Sequence, residues 1–115
     1  GTTKRTRPGV EAAVRRMMLA VDPEGVALAL EARRDRPDST AVASALRIPV
    51  MVVCGAEDVL SPPSEMRTLA GSIPGAAYHE IPGAGHLSCL EAPDVFAAAL
   101  AALLDRVAVA SGRSG

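Results

Sequence analysis

Ile48-Pro49-Val50-Met51-Val52-Val53-Cys54-Gly55-Ala56-Glu57-Asp58 decides the fold of this 115-residue chain. From Val50 to Cys54 the run is apolar without a break and rich in β-branched side chains, and Gly55 closes it. A strand with one wet face would alternate apolar and polar residues. A continuous run predicts a strand covered on both faces, which is the habit of parallel sheets. Asp58 then falls just past the carboxyl end of that strand, the side of an open α/β sheet on which ligand sites form. The chain therefore reads as an α/β fold with parallel strands and flanking helices.

Working outward toward the C-terminus, Ser61 can cap a helix whose first position is Pro62. Met66, Leu69, Ala70 and Ile73 form its inner stripe, and Pro74-Gly75 stops it. Residues Ala77 to Ile81 make a second, more polar strand near a sheet edge. Two parallel strands joined by a helix require a right-handed crossover. Pro82-Gly83-Ala84-Gly85-His86 follows, placing a histidine at the next strand end, 28 residues after Asp58. Pro93 opens the strongest helix, with Val95, Phe96, Ala99, Leu100, Leu103, Leu104 and Val107 on one side. The tail from 108 to 115 is expected to be disordered.

Toward the N-terminus the pattern is helical. After a basic, mobile start (Lys4, Arg5, Arg7), apolar residues recur at Val10, Ala13, Val14, Met17, Met18 and Val21, predicting a helix from Pro8 to about Ala20. Asp22 and Pro23 can cap and open a second one, reaching about Asp35. A loop over residues 36–40 and a short turn or helix from Ala41 to Leu46 lead back to the strand. The expected organisation is a helical, cap-like segment over 1–45, a core over 46–107 and the tail.

Composition excludes several roles. Net charge is -1, with one Tyr, one Phe and no Trp, which gives neither the basic surface nor the stacking aromatics of a nucleic-acid binder. Residues 1–47 carry nine basic and six acidic side chains and residues 48–115 carry three and seven, which hints at two structural units. No apolar stretch is long enough for a membrane span and no charged leader opens the chain, so a soluble, cytoplasmic protein is expected. Cys54 and Cys89 lack the paired spacing of a zinc site and are expected to be free thiols in apolar packing roles. The first residue is Gly1 rather than Met, so a processed or truncated product is expected.

Asp58 and His86 carry the chemistry. An imidazole titrates near neutrality and can accept a nucleophile's proton and return it to a leaving group. A carboxylate beside it fixes the tautomer and stabilises the imidazolium. Taken singly, an Asp or a His in a loop is usually surface decoration; their shared placement at strand ends raises both. Glu57 is a weaker candidate than its neighbour Asp58. His79 reads as a solvent-facing strand residue, and Ser88 follows His86 too closely to be its nucleophile. Met17 and Met18 read first as helix core contacts and second as the lining of an acyl pocket.

The strand text through Asp58, the turn Ile73-Pro74-Gly75-Ala76, the stretch Ile81-Pro82-Gly83-Ala84-Gly85-His86-Leu87 and the trailing Leu90-Glu91-Ala92-Pro93-Asp94-Val95-Phe96 together resemble the C-terminal part of the α/β-hydrolase superfamily. The likeness is strong over residues 46–107 and weaker over 8–45, where residues 32–40 resemble the end of a cap. It implies a partial α/β-hydrolase fold, with Asp58 as triad acid and His86 as general base in the chain order nucleophile, acid, histidine. No metal or organic cofactor is implied.

Two parts of such a site are missing. No serine stands in a Gly-x-Ser-x-Gly turn between a strand and a helix, and no earlier glycine loop offers oxyanion donors. The expectation is a C-terminal fragment of a hydrolase of carboxylic esters, lactones or similar acyl substrates, with its nucleophile elsewhere. The alternative is a non-catalytic module or decayed hydrolase that works through self-association or a partner, since two parallel strands leave edges open. Self-association, or pairing with a missing N-terminal half, is expected in either case.

Overall fold

The structure, a computed structural model, describes residues 1–112. Four helices come first: α1 (Thr2–Thr6), α2 (Pro8–Leu19), α3 (Pro23–Arg34) and α4 (Thr40–Ala45). Strand β1 (Met51–Gly55), α5 (Pro63–Ser72), β2 (Ala77–Ile81), α6 (Ser88–Glu91) and α7 (Pro93–Ala110) follow. The strands pair in parallel with Met51 opposite Ala77 and Gly55 opposite Ile81, and α5 makes the crossover between them.

Punctuation explains most boundaries. Proline opens α2, α3, α5 and α7 at the first turn, where its missing N–H costs nothing. At α3 the Asp22 carboxylate also accepts the Glu24 N–H, an N-cap of the expected kind. Arg106 on α7 donates to the Val50 and Gly75 carbonyls, tying that helix to the start of β1 and to the turn before β2. The core is small and central: Cys54, Ala70, Ile73, Ile81, Ala84 and Ala99 are its buried apolar side chains.

Several expectations are corrected. The basic N-terminal stretch is helical rather than mobile, because Thr2 and Thr3 hydrogen-bond to Glu57 and Glu91. Helix α5 starts at Pro63, and Ser61 caps nothing; its N–H goes to Asp58. The final helix runs through Ala110 and closes on a turn at Ser111-Gly112, so the disordered tail expected from 108 does not begin there; residues 113–115 lie outside the described residues. The apolar content of 108–110 continues the helical pattern across the expected end.

Strand β1 is not covered on both faces. Met51, Val52 and Val53 are half-buried, and Met51 and Val53 line an open groove of about 310 Å³ with Phe96, Leu100 and Leu103. Helix α7 is apolar around most of its circumference: Ala99 is buried, while Leu100, Leu104 and Val107 face solvent. Helices α2 and α3 bury no residue, so Met17 and Met18 are not core contacts. No described helix is long and apolar enough to cross a membrane.

Candidate active site

The ends of the two strands are laced together by their backbones. Past β1, the Ala56 and Glu57 N–H groups donate to the Ile81 and Ala84 carbonyls at 2.9 and 2.8 Å. Gly55 sits where the two loops cross: a Cβ there would lie 2.3 Å from both the Ala84 and Gly85 carbonyl oxygens. Gly83 turns the second loop with φ at +70°, a conformation that side chains disfavour. These contacts bring the residues after β1 and those after β2 side by side.

Asp58 and His86 meet in that space. The His86 Nδ1 lies 3.0 Å from the Asp58 Oδ2, and the other carboxylate oxygen accepts the Leu60 and Ser61 N–H groups at 2.9 and 3.0 Å. Asp58 is 7% exposed, whereas the His86 side chain is half exposed. Burial pushes the Asp58 carboxyl up, but the Ser61 N–H, the His86 ring and the Leu60 N–H outweigh it, and the group sits below the ordinary aspartate value. An ionised Asp58 accepts a proton-bearing Nδ1, which leaves Nε2 as the ring nitrogen open to proton exchange.

The neighbouring candidates fall elsewhere. Glu57 turns away from the histidine and takes the Thr2 N–H at 2.7 Å and the Thr2 hydroxyl. Those bonds, the hydroxyl first, hold its carboxyl below the ordinary glutamate value. His79 is exposed on β2, as its strand position suggested, and Ser88 is buried. Both cysteines are free; Cys54 packs in the core, but Cys89 is exposed, contrary to the packing role expected of it. Among the described residues no group of three or more His, Cys, Asp or Glu side chains is placed to hold a metal ion.

Sequence reading missed two features. Glu91 reaches back to the histidine loop, and its only signal was its place in the stretch Leu90-Glu91-Ala92-Pro93. An apolar groove of about 510 Å³ runs between α1, α2 and that loop, lined among others by Val10, Val14, Met18, Leu19, Leu87 and Glu91. Met18 lines this groove and Met17 does not.

The family model described as alpha/beta hydrolase fold matches residues 14–93. The chain belongs to that family. Among solved hydrolase-fold structures, a thermophilic esterase from Thermogutta terrifontis is 40% identical, with a TM-score of 0.89 over 93% of this chain and 39% of its own. An enol-lactonase from Burkholderia xenovorans LB400 is 33% identical, with a TM-score of 0.79 over 88% of this chain and 38% of its own. Among curated relatives, the polyketide synthase ThaQ of Burkholderia thailandensis is 36% identical over 80 residues, 70% of this chain. This hydrolase-fold chain spans 4% of the length of that synthase and under two fifths of either hydrolase structure.

Proposed function

We propose that this chain is the C-terminal piece of a serine hydrolase acting on carboxylic esters, lactones or related acyl substrates, its attacking serine lying in sequence outside it. The observation that carries the reading is the 3.0 Å contact between His86 Nδ1 and Asp58 Oδ2 at the ends of adjacent parallel strands. With Nδ1–H held by Asp58, Nε2 takes the serine hydroxyl proton as the oxygen bonds to the acyl carbon. The same proton then passes to the leaving alcohol as the tetrahedral intermediate collapses, and a water molecule repeats the cycle to release the acid. Such proton transfer contributes typically about 10²- to 10⁴-fold. Asp58 remains ionised throughout and stabilises the imidazolium.

Support comes from the similar proteins named esterase and enol-lactonase, and from the share of each that this chain leaves uncovered. The serine and the oxyanion donors would sit in that uncovered share. The apolar groove beside Leu87 suits an acyl chain. Two free thiols suit a cytoplasmic protein. Residues 1–115 alone are predicted neither to hydrolyse a nitrophenyl ester nor to take a fluorophosphonate label. Turnover by this chain that depends on His86 would overturn the assignment of the nucleophile to another segment.

The second reading is a non-catalytic module that works through self-association or a partner, and the apolar surface of α7 favours it. Sequence ahead of Gly1 decides between the two. A strand, a Gly-x-Ser-x-Gly turn and a helix there support the hydrolase; a start codon near Gly1 supports the module.

A further inference from the structure

Glu91 ends α6, and its carboxylate faces back onto the loop that carries His86. Oε2 accepts the Gly85 N–H at 3.0 Å and Oε1 accepts the Leu87 N–H at 3.1 Å, so one carboxylate holds the Ala84–Gly85 and His86–Leu87 peptide units and spans the two residues between them. The Thr3 hydroxyl donates to the same Oε2 at 2.5 Å, and the Arg7 guanidinium donates to the Glu91 carbonyl at 2.8 Å. Gly85 permits the approach: a Cβ at that position would stand 3.2 Å from Oε1. Burial pushes the Glu91 carboxyl up, yet the Thr3 hydroxyl and the two N–H groups outweigh it, leaving the group below the ordinary glutamate value.

Peptide units are planar, so anchoring the Ala84–Gly85 and His86–Leu87 units leaves only the torsions at Gly85 and His86 between two held planes and restrains the direction of the His86 Cα–Cβ bond. Asp58 holds the far end of the histidine, at the ring. Glu91 holds the near end, at the backbone. We propose that Glu91 is a positioning residue that sets the aim of the His86 imidazole by holding the Gly85 and Leu87 N–H groups. Its consequence for turnover rests on the hydrolase reading, whereas its effect on the ring belongs to this chain alone. A reacting group displaced by about 1 Å can lose on the order of 10²-fold in rate, so aim is a quantity worth fixing.

The test is nitrogen-15 spectroscopy of the imidazoles in the 115-residue chain at about pH 8.5, where an ordinary imidazole is neutral. Exposed His79 serves as the internal control. His86 should hold the Nδ1–H tautomer. Glu91→Gln keeps one acceptor oxygen and turns the other into a donor. It should lower the share of that tautomer and speed Nδ1 proton exchange by roughly tenfold, the scale of one lost hydrogen bond to a charged group. His79 and the amide dispersion should not move, and Glu91→Ala should go further in the same direction. A folded Glu91→Gln chain with an unmoved His86 overturns the proposal, whatever Glu91→Ala does; so does a Glu91→Gln chain that fails to fold. In the longer hydrolase, Glu91→Gln should lower kcat with KM nearly constant. A fully active His86→Ala variant there would sink the hydrolase reading and leave the spectroscopic result standing.

Discussion

Asp58 divides its work between two oxygens. Oδ1 is held by the loop N–H groups of Leu60 and Ser61, which leaves Oδ2 aimed at the His86 ring. Asp58→Asn preserves the shape but offers the wrong partner for one of these contacts, so in the longer hydrolase it should lower kcat by roughly 10³- to 10⁴-fold. Acid should act on the same contacts. Asp58 and Glu91 both lie below their ordinary values of 3.8 and 4.5 in the folded chain, so each stabilises it fully above those values. Stability should stay level near neutrality and fall as pH drops below about 4.5 and through the depressed values, which urea titrations across that range will read. The meeting of Asp58 and His86 at the strand ends was legible because that placement is written in apolar runs and glycines. The Glu91 contacts were not, because they go to backbone N–H groups, and residue text does not show which backbone a carboxylate will meet.

At the scale of elements, the site depends on two loops crossing without side chains between them. Gly55→Ala would drive a methyl group into the Ala84 and Gly85 carbonyls, and we predict a loss of about 3 kcal/mol in chemical denaturation. Ile81, the one large side chain that is fully buried among the described residues, anchors the strand end just before the histidine loop. Ile81→Ala should cost about 2–5 kcal/mol by the same measurement. The strands and the long helices were legible from apolar runs, 3.6-residue periodicity and first-turn prolines. Helix α1 escaped because Thr2–Thr6 carries no apolar periodicity; its contacts with Glu57 and Glu91 come from 55 and 88 positions away. The end of α7 escaped because alanine and valine carry the helix past its last large apolar residue.

The whole molecule is more open than a self-sufficient domain of its size. Its accessible surface is 8176 Å², against about 5,900 Å² for a folded monomer of 11.8 kDa. Its radius of gyration is 16.6 Å, against about 13 Å for a compact chain of this length. Both strands are sheet edges, and Leu100, Leu104 and Val107 lie exposed on α7. We therefore expect concentration-dependent self-association in analytical ultracentrifugation, lost when the chain is covalently continuous with the rest of a hydrolase core. The apolar strand β1, read as covered on both faces, is half-exposed in this two-stranded sheet. The central claim, that Asp58 and His86 are the relay half of a hydrolase site, is tested most directly by nitrophenyl ester turnover in the longer chain. His86→Ala should abolish turnover by several orders of magnitude while His79→Ala leaves it unchanged; equal activity in the two variants would contradict the account.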